Sequence, residues 1–265
     1  MADTLLFRVE NGVGWIVLNR PEARNAMNAE MRQAYLDALA RCAEDAEIRA
    51  VVLTGTGKGF CTGADLSGSR AASGAPAAPG PGDTRTAMFP SQRVIRTLWE
   101  LEKPTLAAVN GVAAGLGAHL AYACDLVVAA DDARFIEVFV RRGIALDAGG
   151  AFLLPRLVGL RKAKELVFFG DDLPAADAER FGLVNRVVPA AELEKTAREW
   201  AERLAQGPTF ALGLSKRLLN RSLQSDLETC LAEEAFTQAL VAQSEDMREG
   251  IRSFMEKRPP TFKGR

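Results

Sequence analysis

Three short runs, RAVVLTG (49–55), PTLAAVNG (104–111) and DLVVAA (125–130), are apolar at nearly every position rather than at alternate ones. A strand that is apolar on both faces must be covered on both, which is the condition of a parallel strand inside an α/β sheet. Helical spacing from about Gln92 to Glu102 precedes the second run and supplies one cover. Earlier in the chain LLFRVE and VGWIVLN flank Asn11-Gly12, a hairpin pattern, and Met31, Tyr35, Leu36 and Leu39 then recur at helical spacing. That is a β-β-α unit. From Pro189 onward four amphipathic helical stretches follow one another. The fold class expected is α/β, strand-rich first and helical last.

Composition excludes several functions. Thirty-three basic against thirty-four acidic residues leave a net charge of −1, so no global field draws the chain to nucleic acid or to an anionic membrane. A small-molecule partner is expected. Cys42, Cys61, Cys124 and Cys230 have neither close pairing nor metal-ligand spacing, and MADTLLFRVENG lacks a basic start followed by an apolar core. This fits a reducing cytoplasm and no bound metal. The nearest approach to a membrane span, PTLAAVNGVAAGLGAHLAYAC, is broken by Asn110, by three glycines and by His119, the only histidine of the chain. The stretch from Ser67 to Pro90 is dense in Ala, Gly, Pro and Ser without an apolar period. It is expected to be a mobile loop, either a tolerated insertion or a lid.

LNRPEARNAMN, VVLTGTGKGFCTGADL, KPTLAAVNGVAAGLGAHLAYACDLVVAADDARF and GLVNRVVP, in this order and spacing, resemble the enoyl-CoA hydratase/isomerase, or crotonase, family over nearly the whole chain. PTFALGLSKRLLN and SFMEKRPPTFKGR look closest to its phenylacetate-degradation, ring-isomerase branch. The resemblance implies a crotonase-like spiral of β-β-α units over 1–190, with the loop 67–90, and a C-terminal helical trimerisation region over 191–265. It also implies a homotrimer or dimer of trimers, and a coenzyme A thioester as substrate with no further cofactor.

The motifs have their own chemistry. Removing a proton beside a thioester requires fixed donors for the charge arriving on the carbonyl oxygen, and backbone N–H groups supply them without reorganising. Gly63 in FCTGADL allows a turn after a buried strand, and the glycines around Leu116 mark a helix start with unpaired N–H groups. The family's two oxyanion donors map onto Ala64 and Leu116. The resemblance further places Arg24, Ala26, Thr62, Asp65 and Leu66 at the coenzyme, with Lys263 reaching a neighbouring subunit's ligand.

Hydratases of the family use two glutamates. At the first of those positions this chain has His119 and at the second Phe139, with Glu137 on the same strand face but one pleat too far along. Asp147, in GIALDAGGAFLLP, reads either as a helix N-cap or, by resemblance to the ring isomerases, dienoyl-CoA isomerases and dehalogenases, as the catalytic carboxylate. The expected activity is double-bond isomerisation by an Asp147 proton shuttle. The alternatives are hydration by Asp147 with His119, and an acyl-CoA binder without turnover. His119 is expected to line the acyl pocket and hydrogen-bond Asp147 or an intervening water; its other reading is a satisfied core residue.

Overall fold

A computed structural model of the chain describes residues 3–67 and 80–265. Asn11 and Gly12 both take positive φ, 51° and 78°, and close the two-residue turn between β1 (Leu5–Glu10) and β2 (Val13–Leu18). The three apolar runs are β3 (Ala50–Gly55), β5 (Thr105–Val109) and β7 (Leu126–Ala130). With β10 (Arg186–Val188) they complete a six-stranded sheet of order β1-β2-β3-β5-β7-β10, parallel throughout except at the hairpin.

A second sheet has the order β4-β6-β8-β9. Its strands, β4 (Gly59–Cys61), β6 (Val112–Ala114), β8 (Arg134–Ile136) and β9 (Asp172–Pro174), have three residues each. β4, β6 and β8 run parallel and β9 antiparallel. The chain visits the large sheet and then the small one in turn, β3 then β4, β5 then β6, β7 then β8. Each circuit therefore adds one strand to both sheets, which is a spiral of β-β-α turns.

Helix α1 (Ala29–Glu44) begins where the Asn28 side chain accepts from the Met31 N–H at 2.8 Å, and it buries Met31, Tyr35, Leu36, Leu39 and Cys42. Helix α2 (Pro81–Trp99) corrects the expectation of a loop from 67 to 90. Its first turns have no apolar period because they are largely solvent-facing. They start on Pro81, whose fixed φ suits a first helical position, and the Asp83 carboxylate accepts from the Gly80 N–H at 3.2 Å. Residues 68–79 of that segment lie outside the described residues. Helix α3 (Leu116–Ala123) is buried at all eight positions. Helix α4 (Gly150–Phe169) is interrupted at Gly159, and α5 (Ala175–Arg180) follows β9.

Of the C-terminal helices, α6 (Leu193–Ala205) lays Leu193, Ala197, Ala201 and Ala205 on β3, β5 and β7, so it covers one face of the large sheet. Helix α7 (Thr209–Ser222) is pinned to the same sheet by charge: Lys216 Nζ lies 2.9 Å from Asp125 Oδ2, which also accepts from Thr105 N at 2.7 Å and Thr105 Oγ1 at 2.8 Å. Helix α8 (Leu227–Val241) buries no side chain and leaves Leu227, Leu231, Phe236 and Leu240 exposed; α9 (Glu245–Glu256) ends the helical order. Cys42, Cys61 and Cys124 are buried free thiols that burial pushes up to about 12, 11 and 12, whereas Cys230 on α8 is half-buried. Among the described residues no helix is long and apolar enough to cross a membrane.

Lys216→Ala removes the one cation that meets Asp125 at the foot of α7. A loss of about 2 kcal/mol of stability is expected, the order of a hydrogen bond to a charged group, measured as a lower urea midpoint with unchanged slope.

Candidate functional site

The parallel strands of the small sheet end side by side, and each delivers one part of a common site. β4 runs into Gly63 and Ala64, β6 into Gly115 and the start of α3 at Leu116, and β8 into Glu137, Val138 and Phe139. The first two parts can meet because residue 117 is glycine. A Cβ there would overlap the carbonyl of Cys61, so the first turn of α3 lies directly on the end of β4. The main chain at Met27 exchanges bonds with Gly63 O at 2.8 Å and Asp65 N at 3.0 Å, and the intervening Ala64 N–H has no acceptor among the described residues. Leu116, the first residue of α3, has no intrahelical acceptor for its N–H, and the helix dipole adds positive potential there. Two donors thus face one cavity of about 730 Å³, lined by Ala64, Leu116 and Asp147 among others.

Asp147 precedes a turn in which Ala148 and Gly149 both take positive φ, 46° and 80°. The N-cap of α4 is Gly149, with no side-chain cap bond, so Asp147 is not the cap that its place in the sequence suggests. Its main-chain oxygen accepts from the Gly150 N–H at 2.9 Å, and its carboxyl makes no hydrogen bond or ion pair among the described residues. Burial raises the carboxyl above its ordinary range; His119 opposes the rise and Glu137 adds to it. The cavity's other carboxylate is Asp65, with the opposite setting. Ser67 Oγ and N donate to it at 2.6 and 2.9 Å, Arg20 Nη1 lies 2.8 Å away, and these donors hold it down to about 2.

A second groove of about 340 Å³ shares Thr62, Ala64, Asp65 and Leu66 with the cavity and continues to Arg24 and Ala26. The loop carrying Arg24 is held by Asn25, fully buried, whose Nδ2 donates to Thr56 O at 2.9 Å and Gly59 O at 2.7 Å. Thr62 N donates to Arg24 O at 3.2 Å and ties this loop to the first donor turn. Arg24, Ala26, Thr62, Asp65 and Leu66 are therefore one continuous surface. Lys263 is not part of it in this chain. Its Nζ meets Glu245 at 3.0 Å, and its N–H donates to Asp246 Oδ1 at 2.6 Å.

The expectation for His119 requires correction. The imidazole is fully buried and does not line the cavity; its Nε2 lies 3.0 Å from Oε2 of Glu137, not of Asp147. The Phe139 ring stacks on it at 5.4 Å and 17°, and Phe139 itself lines the cavity. Strand alternation places Glu137 one pleat too far along, but β8 stops at Ile136 and the chain is helical at Phe139 (φ −57°, ψ −50°). The period of two no longer applies there. Arg32 and Arg142, which also line the cavity, carried no signal that distinguished them from solvated arginines.

The profile of the enoyl-CoA hydratase/isomerase family matches residues 8–265. The chain belongs to that family. It is 41% identical over 263 residues to a probable enoyl-CoA hydratase of Rhodobacter capsulatus, covering 99% of this chain and 98% of the relative. It is 40% identical over 265 residues to the 1,2-epoxyphenylacetyl-CoA isomerase of Escherichia coli K12, covering both chains fully. The crystal structure of an enoyl-CoA hydratase/isomerase from Cupriavidus metallidurans superposes with a TM-score of 0.92 at 40% identity, over 99% of this chain and 97% of that one. The crotonase fold expected from the sequence is the fold observed.

Because the Asp147 carboxyl is raised, ionising it works against the folded state. Stability is lost as pH rises through its folded value, and none is lost below the unfolded one. Asp147→Asn is therefore expected to raise Tm at pH 7, with the gain fading in acid as the native carboxyl becomes neutral too. A thermal scan from pH 3 to pH 8 measures it.

Proposed function

We propose that this family member shifts a double bond in an unsaturated or ring-derived acyl-CoA, with Asp147 as the proton shuttle. One observation carries the reading: among the described residues Asp147 is the only unpaired carboxylate lining the cavity, and it shares that cavity with two N–H groups that have no acceptor among those residues. With the thioester oxygen between Ala64 N–H and Leu116 N–H, the Asp147 carboxylate takes a proton from one carbon. The electron pair moves into the extended enolate, whose oxygen the two donors hold, and the now neutral carboxyl returns the proton two carbons along as the double bond re-forms. One carboxylate suffices because nothing is added or lost overall. Each N–H is of the kind whose removal slows acyl chemistry by about 10²–10³. Arg24, Ala26, Thr62, Asp65 and Leu66 form the surface for the coenzyme portion, and Lys263, which meets Glu245 within its own chain, is proposed to serve a neighbouring subunit's ligand.

The hydratase reading is supported by the name of the Rhodobacter relative. Its requirement for a second group acting on water is poorly met: His119 is sealed behind Phe139, and Phe139 occupies the second glutamate position. An apolar face supports assembly: Leu227, Leu231, Phe236 and Leu240 on α8 and Phe254 and Met255 on α9 are exposed, and a trimer or dimer of trimers would cover them.

The activity is tested on a panel of 3-enoyl- and 2-enoyl-CoA esters, with double-bond migration and water addition monitored separately. Migration is expected. Asp147→Asn should reduce it by about 10³ while CoA-ester affinity stays within a few-fold. Water addition as the main reaction would establish the hydratase, and tight binding without conversion would establish a binder. Light scattering on the eluting protein should give three or six times the 28.5 kDa chain mass.

A further inference from the structure

The proposed reaction leaves unused the most deeply buried titratable pair of the described structure. His119 and Glu137 are 0% and 3% exposed, with 3.0 Å between Nε2 and Oε2, and the second polar atom of each, Nδ1 and Oε1, has no partner. Burying two ionisable groups with half their hydrogen-bonding capacity unmet costs stability that an apolar pair of the same volume would not cost. Their surroundings show what they lie against. The Phe139 ring covers one side of the imidazole and separates it from the cavity. On another side the contact is Gly150, where a Cβ would collide with Cε1 and Nε2 of the ring. Gly150 is the residue whose N–H closes the Asp147 turn. That turn holds two consecutive residues at positive φ, one of them an alanine, a geometry that persists only where neighbouring structure enforces it. The imidazole is one of the neighbours that does so.

We propose that His119 and Glu137 are a positioning pair for Asp147: the imidazole packs against Gly150 of the turn that carries it, and Glu137 fixes the imidazole through the 3.0 Å contact of Oε2 with Nε2. The proposal rests on the reading of Asp147 as the proton-transfer group. Neither member lines the cavity, so each acts through Asp147. The other charged or titratable groups around this carboxyl are few. The turn before it brings Arg142, α1 brings Arg32, and the Arg20–Asp65 pair also lines the cavity, while α2 contributes the neutral Ala87, Met88 and Ser91. Tyr122, on α3 beside His119, is held protonated by burial. Burial raises the Asp147 carboxyl, while His119 opposes that rise and Glu137 adds to it. The pair thereby keeps the carboxyl able both to accept and to return a proton, as a shuttle requires.

The test reads Asp147 directly. In protein carrying ¹³C-carboxyl aspartate, the Asp147 resonance is assigned by its loss in Asp147→Asn and titrated in two variants of retained shape. Glu137→Gln should move the midpoint down by about 1 pH unit, and His119→Gln should move it up by a similar amount. Each should lower kcat about tenfold with KM within about twofold. Unmoved midpoints, or midpoints that move the same way, with only Tm reduced, would return the pair to a purely structural role. Should either variant fail to fold, Gly150→Ala retains both groups and displaces the imidazole. It should shift the Asp147 midpoint and lower kcat about tenfold, and wild-type values for both would overturn the proposal. Failure of the underlying reading looks different: Asp147→Asn would keep its turnover, whatever the titrations show.

Discussion

The contact on which the rest of the site depends is the approach of α3 to the end of β4, with Gly117 against the Cys61 carbonyl. Any side chain at 117 would push the helix outward, and the distance between the Ala64 and Leu116 N–H groups would grow with it. An oxyanion site tolerates little such drift, because donors help only when they are aimed in advance at the position the charge will occupy. The all-buried composition of α3, Leu-Gly-Ala-His-Leu-Ala-Tyr-Ala, follows from the same constraint. A helix seated between two sheets of a spiral has no solvent face, so its side chains are small or apolar, and Gly117 and the alanines permit the seat to be this close. His119 is the exception, and Glu137 is what makes the exception tolerable.

Electrostatics divides the cavity between two aspartates. Asp65 is surrounded by donors and stays ionised, whereas Asp147 has none and is raised by desolvation. Environments that push like groups apart are how one fold assigns different roles to the same side chain. Asp65 lines both the cavity and the smaller groove, so the fixed charge sits where the two join, whereas Asp147 lines the cavity alone.

How much of this was legible in the sequence varied with element length. β3, β5 and β7 are apolar on both faces, and α1 repeats its apolar residues over four turns, so both announce themselves in local pattern. β4, β6, β8 and β9 do not. Three residues define no period, and their glycine-rich flanks read as loop, although these strands are what converge on the site. The donors at Ala64 and Leu116 were found through glycine spacing and family resemblance together. Asp147 also carried the pattern of a helix cap until the structure showed Gly149 in that place. The Glu137 partnership was hidden because it depends on where β8 ends, and strand ends are set by pairing with β6 and β9 rather than by the residues themselves. The helical start at Pro81 was obscured for a related reason: a solvent-facing helix needs no apolar stripe.

The distribution of thiols has a practical side. Cys42, Cys61 and Cys124 are enclosed in the core and held protonated, so an alkylating reagent finds essentially no thiolate among them. Cys230 is the remaining sulfur, and it sits on α8 among the apolar side chains that the folded subunit leaves uncovered. A fluorophore attached there marks one known place on the protein without engineering the other three cysteines away. The native sequence thus carries its own single-site handle, on the helix where subunit association would be seen.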